Sequence, residues 1–361
     1  MLRRHLLLCL PALLAPSRSS LAATFKGQRL GLAIQSYAHR WKGNHSSIQF
    51  PAFRDVLDVM DHGREIGVGS LQIGVADWDR DVAQQVRASS ESYDMKVEGS
   101  LRLPQAVGDV DRFTRELRIG KEAGITIFHT VLGPRRYEAF LNLSDFEQWK
   151  GTVRRTLEWA ETAARKVGVK IAIENHQDFQ VAEWLELMKA ISSSQVGICL
   201  NTSSSLGLLE LPLETVRQLA PYTFSVHLSD LAVHQVEDGF EMAAAPLGQG
   251  ILDLPELLNI LRSEAPRVEY HLKMPTIDAQ HIPCLRDSYW DTMPNKSGVD
   301  LARALALVQK CGLPKLPQIS SISEQGKLVL EEKNILDSFH HAANSLGFYQ
   351  TQIMKAQAED H

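Results

Sequence analysis

The stretch Ser144–His176, SDFEQWKGTVRRTLEWAETAARKVGVKIAIENH, decides the fold. In Asp145–Val167, the residues Val153, Leu157, Ala160, Ala164 and Val167 recur at the three- and four-residue spacing of one helical face, while Arg154, Arg155, Glu158 and Arg165 fall elsewhere. Ser144 is the expected N-cap and Gly168 the expected stop. The continuation, Val169–His176, has an apolar centre, Ile171-Ala-Ile173, and carries Glu174 and His176 at its C-terminal end. A long amphipathic helix, a glycine and a short strand apolar on both faces make one repeat of a parallel α/β protein.

The same unit recurs on both sides of this stretch. Strands are expected at 29–37, 70–75, 95–103, 126–132, 169–176, 196–202, 223–229 and 268–274, with helices over 52–66, 80–93, 110–123, 145–167, 182–192, 213–220, 254–263 and 299–309. Eight such repeats predict an α/β fold of the (β/α)₈ barrel type, with its site at the C-terminal ends of the strands. A doubly wound open sheet would need a glycine-rich phosphate turn after the first strand, and Gln35-Ser-Tyr37 is not one. Two excursions, 234–250 and 276–297, follow strand ends and are expected to cover the pocket. The barrel is expected over 24–312. A C-terminal extension, 313–361, contains Pro314, Pro317 and a helix over 331–346 that packs outside the barrel.

Composition sets further limits. The 361 residues are 44% hydrophobic and 22% charged, with a formal net charge of −5 and no long basic run. That balance suits a single water-soluble domain and a small polar ligand, with no nucleic-acid footprint and no membrane span. Residues 1–23 have the layout of an export signal: Arg3 and Arg4, an apolar run from Leu6 to Leu14, then Ser20-Leu-Ala-Ala23 as a cleavage site. A periplasmic or secreted protein is expected, by the general or the twin-arginine route; a mitochondrial presequence is the rival, since no acidic residue precedes Asp55. Beyond Cys9 only Cys199, Cys284 and Cys311 remain, an odd set without CxxC spacing, from which neither a disulfide framework nor a zinc-thiolate site is expected.

The polar residues at strand ends, in chain order, are Gln35, Gln72, Glu98, His129, Glu174 with His176, Asn201, His227 with Asp230, and Lys273. Barrel closure would gather them around one pocket. In the second excursion, Trp290 offers an aromatic face to a sugar ring, or else anchors the loop.

The segments Ile171-Ala-Ile-Glu-Asn-His-Gln-Asp178, Gly197-Ile-Cys-Leu-Asn-Thr202, Ser225-Val-His-Leu-Ser-Asp230, Pro246-Leu-Gly-Gln-Gly250 and His271-Leu-Lys-Met-Pro275 resemble, in order and position, the motifs of the xylose-isomerase-like barrels, sugar isomerases and epimerases among them. The resemblance implies a divalent cation (Mn²⁺, Mg²⁺, Co²⁺ or Zn²⁺) held by Glu, Asp, His and Glu from the last four strands, the two glutamates also moving protons. Carried over, the metal ligands fall on Glu174, Asn201 and His227, and the fourth position on Lys273. Asn201 replaces the family aspartate and Lys273 the family glutamate. A site with one carboxylate and a resident ammonium is an altered metal site. The expected function is therefore a carbohydrate isomerase or epimerase working by enolate-type proton transfer. Glu174, Lys273 and His227 are its catalytic candidates, and Gln35, Glu98, His129, His176, Asp230 and Trp290 its substrate-binding candidates. The alternatives are a keto-sugar lyase or dehydratase, and a noncatalytic sugar-binding barrel.

Overall fold

In the computed structural model, which describes residues 28–349, eight parallel strands close on themselves in the order β1-β10-β7-β6-β5-β4-β3-β2. They are β1 (Gly31–Ala33), β2 (Ser70–Gly74), β3 (Lys96–Ser100), β4 (Ile127–Thr130), β5 (Lys170–Glu174), β6 (Val196–Asn201), β7 (Thr223–Leu228) and β10 (Glu269–Leu272), each inside an expected strand. The helices are α1 (Val56–Glu65), α2 (Arg80–Tyr93), α3 (Val110–Glu122), α4 (Arg136–Ala139), α5 (Leu143–Val167), α6 (Val181–Ile191), α7 (Pro212–Leu219), α8 (Leu254–Glu264), α9 (Asp287–Trp290), α10 (Gly298–Cys311) and α11 (Glu324–Ser345). The deciding stretch folds as α5 and β5, and Gly168 closes the helix at φ 76°, in the left-handed region where a side chain is disfavoured. The N-cap is Asn142, not Ser144: its side chain accepts from the Asp145 amide at 3.0 Å, so the helix begins earlier than its apolar pattern. The expected signal, residues 1–23, lies outside the described residues.

The first excursion has structure of its own. β8 (Asp230–Val236) and β9 (Gly239–Ala245) form a hairpin, and β11 (Gln280–Ile282), from the second excursion, pairs with β9 to make a three-stranded sheet. Leu231 and Val233 of β8 share one face of this sheet with Phe240 and Met242 of β9. Their buried face packs with Ala304 and Val308 of α10 in a core separate from that of the barrel. A side chain at Gly239, at φ 153°, would run into Ile282 O. The eighth helical position of the barrel is filled instead by α11, whose Ile335, Phe339 and Ala342 belong to the barrel's own core. It lies between α8 and α1: Arg262 donates to Leu346 O at 2.6 Å, and Glu332 meets Arg40 at 2.6 Å and His62 at 3.1 Å. Among the described residues no helix is long and apolar enough to cross a membrane.

The barrel interior is unusually polar below its mouth. Gln72, Glu98, Ser225 and His271 are buried there and bonded to one another: Gln72 Nε2 and Ser225 Oγ both donate to Glu98 Oε2, at 3.2 and 2.8 Å, and His271 Nε2 lies 3.1 Å from Ser70 Oγ. Burial pushes the Glu98 carboxyl up to about 8, outweighing its hydrogen bonds to Ser225 and Gln72, and pushes the buried Asp178, after β5, up to about 8 as well. Both are neutral acids at pH 7, as an unpaired carboxyl in a dry interior must be.

Because the folded state holds these protons more tightly than the unfolded chain, their contribution to stability is complete below the ordinary carboxylate range and is lost as pH rises toward about 8. Glu98→Gln keeps an uncharged group of the same shape. Denaturant melts of the variant and parent from about pH 5 to about pH 8 should show the gap moving toward the variant, by at most about 1.4 kcal/mol per pH unit. A gap constant across that range would mean that Glu98 is ionised in the folded protein.

Candidate active site at the C-terminal mouth

Above this floor, four strand ends converge on one carboxylate. Glu174 ends β5 with its side chain 1% exposed, and its two oxygens face different partners. Oε1 takes the Lys273 ammonium at 2.5 Å and the Asn201 Nδ2–H at 2.8 Å. Oε2 lies 3.0 Å from His129 Nε2 and 3.3 Å from His227 Nδ1. Strand pairing sets this up: Asn201 lies opposite His227, His271 lies opposite His227, and Lys273, two residues after His271, points to the same inner side. Burial alone would raise the Glu174 pKa, but Lys273, then His227 and the hydrogen bond from His129, hold it well below the carboxylate range. The same burial pushes the His227 imidazole down to about 3, so it is neutral.

Lys273 is the member of this group nearest to solvent, its side chain 14% exposed. Its backbone is pinned on both sides, the amide donating to Leu228 O at 3.0 Å and the carbonyl accepting from Ser229 Oγ at 2.7 Å. Asn201 is oriented just as firmly: Oδ1 accepts from the Ser203 amide and hydroxyl, both at 3.0 Å, so that Nδ2 must face Glu174. His176 lies just beyond Glu174, half-buried. Its Nδ1 is unpartnered, and its pKa is lowered by burial despite Glu174, with Lys273, Arg135 and His129 adding to the lowering.

Other candidates lie elsewhere. Glu98 is in the floor, bonded to Ser225 and Gln72. Asp230 clamps the Pro246–Gly250 loop, its oxygens accepting from the amides of Leu231, Gly248, Gly250 and Leu252 at 2.8–3.1 Å. Trp290 donates to Cys284 O at 3.0 Å and packs on Tyr289, the anchoring role. Gln35 stands at the end of β1 with a buried, unpartnered Oε1. Two features escaped the sequence. Cys199, fully buried on β6, lies beside Glu174 in register, and a lone cysteine with no spacing partner gave no signal. Tyr137 and Gln177 join Gln280 of β11, Tyr137 Oη donating to Gln177 Oε1 at 2.9 Å, which ties α4 and the small sheet to the rim of the mouth.

The cation implied by the family does not fit the four positions as they stand. A hard divalent ion needs oxygen acceptors, whereas Asn201 presents an N–H and Lys273 an ammonium, both spent on Glu174 Oε1. The ammonium takes the place of the charge that a metal would bring.

The chain was compared with known proteins. A 3-oxo-isoapionate decarboxylase from Pectobacterium atrosepticum is 22% identical over 246 residues, 64% of this chain and 81% of that protein. Among solved structures, an L-ribulose 3-epimerase superposes with a TM-score of 0.52 at 12% identity, over 92% of this chain and 97% of that one. A probable 3-DHS dehydratase from Bacillus anthracis gives 0.52 at 12% identity, over 67% and 92%. At such identities the solved structures attest the fold. The family model of the xylose isomerase-like TIM barrel matches residues 60–276, well over half of the chain, and to that family the chain belongs.

Proposed function

We propose that this protein is a sugar-modifying enzyme acting on a keto-sugar or an oxidised sugar acid through an enolate, with Lys273 in place of a metal as the electrophile. The observation that carries this reading is the Lys273–Glu174 pair at 2.5 Å, buried on the carboxylate side and open on the ammonium side. One ammonium proton is held by Glu174, and two remain for a substrate oxygen. A carbonyl laid on Lys273 gains negative charge as the enolate forms, and a fixed cation in a poorly solvated mouth stabilises that charge. Glu174, kept ionised and surrounded by donors, is a weak base. Its part is to hold Lys273 in position. The neutral His176 imidazole, its Nδ1 unpartnered, is the group suited to take and return a proton. Epimerisation, dehydration and decarboxylation of a carbonyl sugar all pass through an enolate, and the relatives named above include each of these. The proposed substrate class is thus a small carbohydrate, consistent with the strongly polar mouth.

Incubation with ketoses and 3-oxo sugar acids in D₂O, followed by NMR and by carbon dioxide release, tests this reading. Turnover should appear with the parent and fall by about 10²-fold or more in Lys273→Met. Glu174→Gln/Lys273→Met removes both charges together and leaves no buried ion unpaired, so a folded but inactive double variant separates chemistry from stability. His176→Gln should abolish deuterium exchange into substrate that keeps its carboxylate but spare decarboxylation, which needs no base at carbon and whose enolate takes a deuteron from solvent. Sugar binding with neither exchange nor carbon dioxide release would establish the noncatalytic alternative.

A second test concerns the rewritten charges. Asn201→Asp with Lys273→Glu changes the formal charge by about −3 and supplies oxygen ligands, so calorimetry should show Mn²⁺ binding that neither single change supports. Mn²⁺ binding by the parent as tight as that of the double variant would mean that other residues complete the shell.

A further inference from the structure

We infer that Gln177 is a positioning residue for His176, the group to which the reaction proposed above gives the proton transfer and on which this inference therefore rests, and that the small sheet holds Gln177 through Gln280 of β11. Gln177 has φ 69°, in the left-handed region that glutamine rarely adopts. A backbone held there beside a working side chain persists only where its surroundings fix it. Here they do. The Gln177 carbonyl accepts from the Arg136 amide at 2.9 Å. Its Oε1 accepts from Tyr137 Oη at 2.9 Å and from Gln280 Nε2 at 2.7 Å, while its Nε2 donates to Gln280 Oε1 at 3.1 Å. Gln280 Nε2 also donates to Tyr137 Oη, so the two amides and the phenol form a closed ring of hydrogen bonds.

Room for the Gln177 amide comes from Gly207, in the turn Ser204–Leu208 after β6. A Cβ at Gly207 would lie 2.6 Å from Gln177 Oε1 and 2.7 Å from its Cδ. Gly207 is fixed in turn: its carbonyl accepts from Tyr289 Oη at 2.8 Å, and the Tyr289 ring lies 5.3 Å from that of Tyr137. On the other side of His176, Asn175 is pinned to β6, its Oδ1 accepting from the Asn201 amide at 2.7 Å and its Nδ2 donating to Asn201 O at 3.3 Å. His176 is thus a half-buried residue between two buried and engaged ones, within the fields of Glu174 and Lys273.

The left-handed turn decides which side chain reaches the mouth. A strand continued past Glu174 would put His176 and Asp178 on the same face. With the turn at Gln177 they part: His176 stays half-buried beyond Glu174, and Asp178 is fully buried, its Oδ1 accepting from the Phe179 amide at 2.8 Å. The imidazole itself is left free to work, with Nδ1 unpartnered, while the backbone that carries it is held from both sides. A proton-transferring group displaced by about 1 Å loses about 10²-fold in rate, so the ring around Gln177 bears on chemistry although none of its members need touch a substrate.

The test reads His176 directly and needs no turnover. In the full chain with isotope-labelled histidine, the ring resonance of His176 is identified by its loss in His176→Gln. At one fixed pH the parent should show it single and sharp. Gly207→Ala, which displaces the Gln177 amide, and Gln280→Ala, which opens the ring, should each broaden or split that resonance, with the ring signals of His129 and His227 in place and circular dichroism unchanged. Gln177→Gly, which accepts φ 69° but carries no amide, should do the same. With a substrate that the parent exchanges in D₂O, these variants should lose about 10²-fold in kcat for exchange while KM changes little. Should Gly207→Ala fail to fold, Gln280→Ala decides alone. A His176 resonance unchanged in the folded variants would overturn the inference whatever the turnover. A resonance that broadens in a protein whose parent turns over no sugar would uphold the hold of Gln177 on His176 and refute only the reaction.

Discussion

A carboxylate buried at the centre of a barrel needs positive charge and donors around it, and Glu174 obtains both from strands far apart in sequence. Its ion pair with Lys273 spans 99 residues of chain, and it forms because β5 and β10 place their ends on the same rim. Breaking such a pair from one side leaves a bare charge in a dry interior, at a cost of about 3–5 kcal/mol. Asn201, His129 and the backbone bonds of Lys273 therefore all serve one geometry. The carboxylate divides its work: Oε1 is bound to the ammonium and the amide, and Oε2 faces the imidazoles.

The layer beneath explains how the barrel tolerates so much polarity. Glu98 escapes an unpaired charge by staying protonated, and Glu98, Gln72, Ser225 and His227 pass hydrogen bonds from one to the next. Gln72 is the hinge of this chain. Its amide nitrogen is committed to the floor and its oxygen to the mouth, and so it sets the tautomer of His227. The chemistry at the rim is thus oriented from below by residues that never reach solvent.

The loops that surround the rim are built on separate structure. The three-stranded sheet and α10 have a small core of their own, while α11 returns to close the barrel where α10 does not. Asp230, at the junction of β7 and β8, gathers four backbone amides and fixes the turn that leads into α8.

Local pattern determined the barrel: all eight strands and the helices between them follow from apolar runs and three-to-four spacing, because each unit buries its own face in its own place. The candidate residues Glu174, Asn201, His227 and Lys273 were legible for the same reason, as polar ends of apolar strands. The β8–β9 hairpin was also present in the sequence, in the Asp238-Gly239 turn pair between two apolar runs, within the excursion expected to cover the pocket. Tertiary structure alone decided the rest. That Glu98 is a neutral acid in the floor, that Asp230 holds a loop, that α11 takes the eighth place and that Cys199 meets two histidines depend on distances between residues tens to hundreds of positions apart. Protonation and pairing follow from burial and proximity, and these exist only once the barrel has closed.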